Sequence, residues 1–174
     1  MAGVIDLSFS ELNSAEDLSA LIKEDEEHGA DVQICHLQKE SIPQHASSTT
    51  KAIKLNNNKL SDIKGLSDLV CPFLVPRSTV LWLDLSFNMI ARLEQTDFGS
   101  PFDQVRTLYL HGNKLSDIAS TMKALSDLPL KSLTLNGNPL QGIDGYRKAV
   151  LKSLPKLRIF DTCVVSHNDV VSIT

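Results

Sequence analysis

Four asparagines, Asn58, Asn88, Asn113 and Asn138, are spaced regularly enough to share one chemistry: they stand 30, 25 and 25 residues apart. Each closes a similar phrase, AIKLNNNKL, VLWLDLSFNMI, VRTLYLHGNKL and LKSLTLNGNPL. A carboxamide carries both a donor and an acceptor. Where a chain leaves a strand and turns inside a packed layer, such a group satisfies backbone N–H and C=O groups that water cannot reach. The four are therefore expected to form a structural ladder, each bonding the turns above and below it.

The residue types of nucleophilic catalysis are present without the corresponding arrangement. No G-x-S-x-G turn, P-loop, H-E-x-x-H or C-x-x-C pattern occurs. His28, His36, His45 and His167 lie in unrelated contexts, while His111 falls on an outward strand position. Asp84 is two template positions away on the adjacent strand, so a hydrogen bond between Asp84 and His111 is expected. Cys35, Cys71 and Cys163 are odd in number and lack metal-ligand spacing. They read as reduced thiols of a cytoplasmic protein. The expectation is a non-enzyme with no catalytic, cofactor or metal residues and no small-molecule substrate.

The four phrases share the template LxxLxLxxNxL, which resembles the leucine-rich repeat. The period of two sends Ile53/Leu55, Leu83/Leu85, Leu108/Leu110 and Leu133/Leu135 to one face of short strands. That face is the core, and Lys54, Asp84, Tyr109 and Thr134 point the other way. Leu60, Ile63, Leu66 and Leu69, then Leu93 and Phe98, then Ile118, Met122, Leu125 and Leu128 carry the chain back through 3₁₀ or helical segments. The predicted fold is α/β: a right-handed leucine-rich repeat solenoid with a short parallel concave sheet and helices or 3₁₀ turns on the convex side. The one-way order of the repeats excludes an antiparallel or mixed sheet.

Three regions are expected. Residues 1–30 read as an acidic segment with a short capping helix opened by Ser14 and Asp17 and continued by Leu18, Leu21 and Ile22. Residues 1–31 carry nine acids against one lysine, so the formal charge of −4 divides into −8 there and +4 elsewhere. Such a segment is expected to be separable from the fold. Residues 31–140 hold about five repeat turns. The first is degenerate, with Val32, Cys35, Leu37 and Ile42 on the template and Glu40 in the asparagine position. The proline-containing insertion CPFLVPRST interrupts the second. Residues 141–174 form a C-terminal cap, with a helix over Tyr146–Leu154 ending at Pro155 and then a strand, LRIFD. No apolar stretch approaches the roughly 18 residues of a membrane helix.

The cap, through Asn138, Pro139, Tyr146, Arg147, Val150, Leu154, Pro155, Leu157 and Asp161, resembles that of SDS22-like intracellular leucine-rich repeat proteins. The repeats LWLDLSFNMI, LYLHGNKL and SLTLNGNPL with GYRKAVL are similar to the leucine-rich-repeat-containing protein 51 family, from roughly Lys51 to Ser166. The resemblance implies a cytoplasmic interaction module, a subunit or adaptor of a larger assembly such as the ciliary or flagellar axoneme. The alternative is an adaptor similar to SDS22 in phosphatase regulation or to the U2 snRNP A-prime protein in RNA-particle assembly. Direct nucleic-acid binding is not expected, because the lysines do not form an aromatic-interleaved stripe. The protein partner is expected on the concave face, at Trp82, Asp84, Tyr109, His111, Thr134 and Asn136, extended by Lys54 and Asn56. Outside its assembly the chain is expected to be a monomer.

Overall fold

A computed structural model describes residues 3–14, 17, 50–70 and 79–171. Seven strands lie side by side in chain order: β1 Gly3–Asp6, β2 Thr50–Lys54, β3 Trp82–Asp84, β4 Thr107–Tyr109, β5 Ser132–Thr134, β6 Ile159–Phe160 and β7 Cys163–Val164. Pairing is parallel from β1 to β6, in a register that stacks Ile5, Ile53, Leu83, Leu108, Leu133 and Phe160 in one column. Those side chains, with Leu7, Leu55, Leu85, Leu110 and Leu135, fill the core. The returning segments are α1 Leu66–Val70, the 3₁₀ turn η1 Gln95–Phe98, α2 Ile118–Leu125, the 3₁₀ turn η2 Pro139–Gly142 and α3 Tyr146–Ser153. Asp117 caps α2 by accepting from the N–H groups of Ala119 and Ser120, which satisfies two of the donors a helix start leaves open. The α/β leucine-rich repeat solenoid read from the sequence is the fold observed.

The asparagine ladder is present. Asn113 Nδ2 donates to the carbonyls of Leu110 and Leu85 at 3.0 and 2.9 Å, and its Oδ1 accepts from Ile90 N at 3.0 Å. Asn88 does the same with Leu85, Leu55 and Leu60, and Asn138 with Leu135, Leu110 and Leu115. Each amide thus bonds its own turn and the one before it, rather than the turns on both sides. Asn113→Ala leaves the Ile90 N–H unpaired in a buried layer and takes one of two amide donors from each of the Leu85 and Leu110 carbonyls. It is expected to lower unfolding free energy by about 1–3 kcal/mol in a denaturant titration.

Two expectations are corrected. First, residues 3–12 are not outside the repeats: they form the first turn of the solenoid. Ile5, Leu7 and Leu12 are buried, Leu7 N donates to Lys54 O, and Asn58 accepts from Ser10 N and Leu12 N while donating to Leu7 O. Second, the sheet is not wholly parallel. β7 turns back antiparallel onto β6 through Asp161 and Thr162, both with positive φ, because a cap must end the stack instead of continuing it. Phe102, in the connection before β4, is fully buried. The capping-box contacts expected at Ser14 and Asp17 are present, with Asp17 N bonded to Ser14 Oγ and Ser14 N to Asp17 Oδ2. The expected helix through Leu18, Leu21 and Ile22, the degenerate turn at 32–42 and residues 71–78 of the insertion lie outside the described residues.

In the cap, Asp161 replaces a missing strand. Its Oδ1 accepts from Leu135 N at 2.6 Å and Asn136 N at 3.0 Å; the counterparts of Leu135 N in the earlier repeats, at Leu7, Leu55, Leu85 and Leu110, donate instead to a carbonyl of the next layer. Tyr146 Oη donates to its other oxygen at 2.8 Å, and burial, then that bond, pushes the phenol well above its usual range. Arg147 grips Asp169 with two bonds of 2.8 and 2.9 Å, pinning the last helix, α4 His167–Val171. This contact and the Ser166 bonds hold the Asp169 carboxyl far below the carboxylate range.

Candidate functional site

Strand alternation places three rows of side chains on the concave side, and the sheet register decides which of them meet. Register opposes Asp84 to Lys54 and Tyr109, and Tyr109 to Thr134. Trp82, at the start of β3, packs edge-on against Tyr109 with ring centroids 5.8 Å apart, and the Lys54 ammonium sits 5.8 Å from the indole centroid. Tyr109 lies 6.0 Å from His111, which meets Phe87 edge-to-face at 4.9 Å. Lys54, Trp82, Tyr109, His111 and Phe87 therefore form one continuous strip across three repeats. The indole N–H of Trp82 is buried without an acceptor among the described residues.

The strip continues toward the N-terminus as a polar network. Lys54 Nζ bonds Asp6 Oδ2 at 3.1 Å, and Ser8 Oγ reaches both Asp6 Oδ1 and Asn56 Oδ1. Burial alone would raise the Asp6 carboxyl. The Ser8 hydroxyl and amide and then Lys54 outweigh it, so the carboxyl lies below its usual range.

Two site expectations fail. Thr134 is buried, only 4% exposed, with its hydroxyl 2.8 Å from His111 Nδ1. It supports the histidine from beneath and does not offer itself to a partner. Asp84 does not pair with His111 because its carboxylate accepts from the Ser86 N–H and hydroxyl at 3.0 and 2.6 Å. A neighbour two residues away in the same turn wins over one on the next strand, since it needs no further ordering of the chain. Asn136 is exposed as expected, and Asn56 is half-buried.

Phe87 and Phe9 are the contributors that sequence reasoning missed as a pair. They are 54% and 72% exposed, and each has a left-handed backbone, φ 53° and 58°. Both sit one residue before the ladder position, where Asn57 is also left-handed and the next two repeats use Gly112 and Gly137. A Cβ on Gly112 would lie 2.7 Å from the Phe87 ring, so that glycine serves both the turn and the aromatic packed over it. The signal was available. IDLSFSEL at residues 5–12 copies LDLSFNMI at 83–90, with Ser10 in the asparagine position.

No family model matches the chain. Over 123 residues it is 38% identical to leucine-rich repeat-containing protein 51 of Rattus norvegicus, covering 70% of this chain and 62% of that protein. The Homo sapiens protein of the same name is 36% identical over the same length. This chain is a leucine-rich repeat protein related to leucine-rich repeat-containing protein 51. It spans 62% of the length of these relatives. A chain of the crystal structure of the Drosophila melanogaster SNF/U2A′ complex superimposes with a TM-score of 0.65 at 19% identity, covering 98% of this chain and 78% of that one, which shows the shared fold. Among the described residues no group of three or more His, Cys, Asp or Glu is placed to hold a metal ion, and no helix is long and apolar enough to cross a membrane.

Proposed function

We propose that this leucine-rich repeat chain is a non-catalytic module that binds a protein partner across its concave face, centred on Lys54, Trp82, Tyr109, His111 and Phe87. The observation that carries the reading is Phe87: a large apolar ring, more than half exposed, held in a left-handed conformation. A non-glycine residue there costs about 1–2 kcal/mol. Strain of this kind, kept at an exposed aromatic, points to use. Aromatic side chains with a polar surround are typical interface anchors.

Phe87→Gly separates function from stability. It relieves the backbone strain while losing the contact with His111, worth about 0.5–1.5 kcal/mol. The melting temperature is expected to move little while partner affinity falls about thirtyfold, corresponding to a hot-spot loss of about 2 kcal/mol. Retained affinity overturns the assignment of this face.

The family resemblance supports a place within a larger assembly, with the axoneme of ciliated cells as the proposed setting. Immunolocalisation of the tagged full protein along the axoneme tests it, and a cytosolic distribution excluding cilia contradicts it.

A further inference from the structure

The residue two positions before each core column is Lys51, Leu81, Arg106, Lys131 and Arg158 in successive layers. Their backbones are stacked directly: Leu81 N donates to Lys51 O, Arg106 N to Leu81 O, Lys131 N to Arg106 O and Arg158 N to Lys131 O, at 2.8–2.9 Å. Lys51, Arg106, Lys131 and Arg158 are all exposed. Unlike Lys54, Lys59, Arg92 and Arg147, none of them forms an ion pair among the described residues. Of the carboxylates in the loops before β4 and β5, Asp127 is bonded to Gln95 and Asp103 is exposed. Three unpaired cations thus stand in consecutive layers at the edge of the concave sheet, beside the row that contains Trp82.

We propose that the Arg106, Lys131 and Arg158 column binds the acidic stripe of a helical protein segment lying across the strands. This rests on the reading of the concave face as a protein-binding surface and names the kind of partner it takes. Neighbouring strands are about 4.8 Å apart. Residues three or four apart on a helix advance about 5 Å along its axis, so acids repeating on one helical face meet successive cations. The apolar face of the same helix then falls on Trp82 and Tyr109. Two features favour such a segment over nucleic acid. The next row on the concave side carries Asp6, Asp84 and Asp161, which repel a uniformly charged phosphate backbone. The Trp82 ring is engaged by Lys54 and the Tyr109 edge, so its faces are not open platforms for stacked bases.

The test uses the full chain and a fluorescent, helix-stabilised peptide with glutamates along one stripe and leucines along the adjacent one, read by anisotropy. Binding is expected to weaken about tenfold for the triple variant Arg106→Gln, Lys131→Gln, Arg158→Gln, as three exposed pairs of up to about 0.5 kcal/mol each would give. It should weaken equally when the peptide's glutamates become glutamines, and fall with added salt. A charge-reversed triple variant should recover affinity for the same peptide carrying lysines, which excludes a folding defect. Loss of peptide binding in Phe87→Gly with an unchanged triple variant overturns the basic column while leaving the concave-face reading standing. No binding by the wild-type chain, or tighter binding of a single-stranded RNA of equal charge, also overturns the proposal.

Discussion

Removing residues 1–12 is expected to lower the stability of the domain by several kcal/mol, and by enough to unfold a marginal chain at ordinary temperature. Ile5, Leu7 and Leu12 are each 3% exposed or less. Burying such a side chain contributes about 1.5–3 kcal/mol relative to exposure, an upper estimate because the unfolded chain already covers part of it. The truncation also leaves Asn58 Nδ2 without the Leu7 carbonyl and its Oδ1 without the Ser10 and Leu12 N–H groups. Since whole domains are stable by only about 5–15 kcal/mol, chemical denaturation should show a large drop in midpoint or no cooperative transition. Leu12→Ala measures one part of this, at about 2–5 kcal/mol. An unchanged midpoint in both would mean that β1 is not the first layer of the core.

Deleting residues from Tyr146 onward is expected to abolish a soluble monomer. The deleted segment supplies Val150, Leu151, Leu154, Leu157 and Phe160, each at most 5% exposed, and their gross burial is of order 10 kcal/mol. It also removes Asp161, so Leu135 N and Asn136 N lose their acceptor and β5 becomes a free parallel edge. An uncovered apolar layer with an unpaired strand edge is a template for aggregation. Size-exclusion chromatography with light scattering should show large species or loss from the soluble fraction. Asp161→Ala isolates the edge contribution: a folded monomer with reduced stability is expected.

The sequence by itself determined the repeat. The period of two in Leu83/Leu85, Leu108/Leu110 and Leu133/Leu135 dictates which side chains enter the core. The asparagine one turn later dictates how the buried backbone is satisfied, because both are local relations along the chain. It also contained the first turn, since IDLSFSEL matches LDLSFNMI, but serine in place of asparagine and a dominant acidic composition concealed it. Only the tertiary structure decided which outward residues meet. Thr134 shares a row with Lys54 and Tyr109, yet the His111 ring from the preceding layer covers it. Asp84 faces the same side as His111, yet its own turn supplies two closer donors. The alternation of a strand states which face a side chain takes, whereas its exposure depends on the size and reach of neighbours 23 to 30 residues away in the chain. The same holds for the aromatic strip from Trp82 to Phe87. It arises from contacts between layers, and no periodicity within one repeat encodes it.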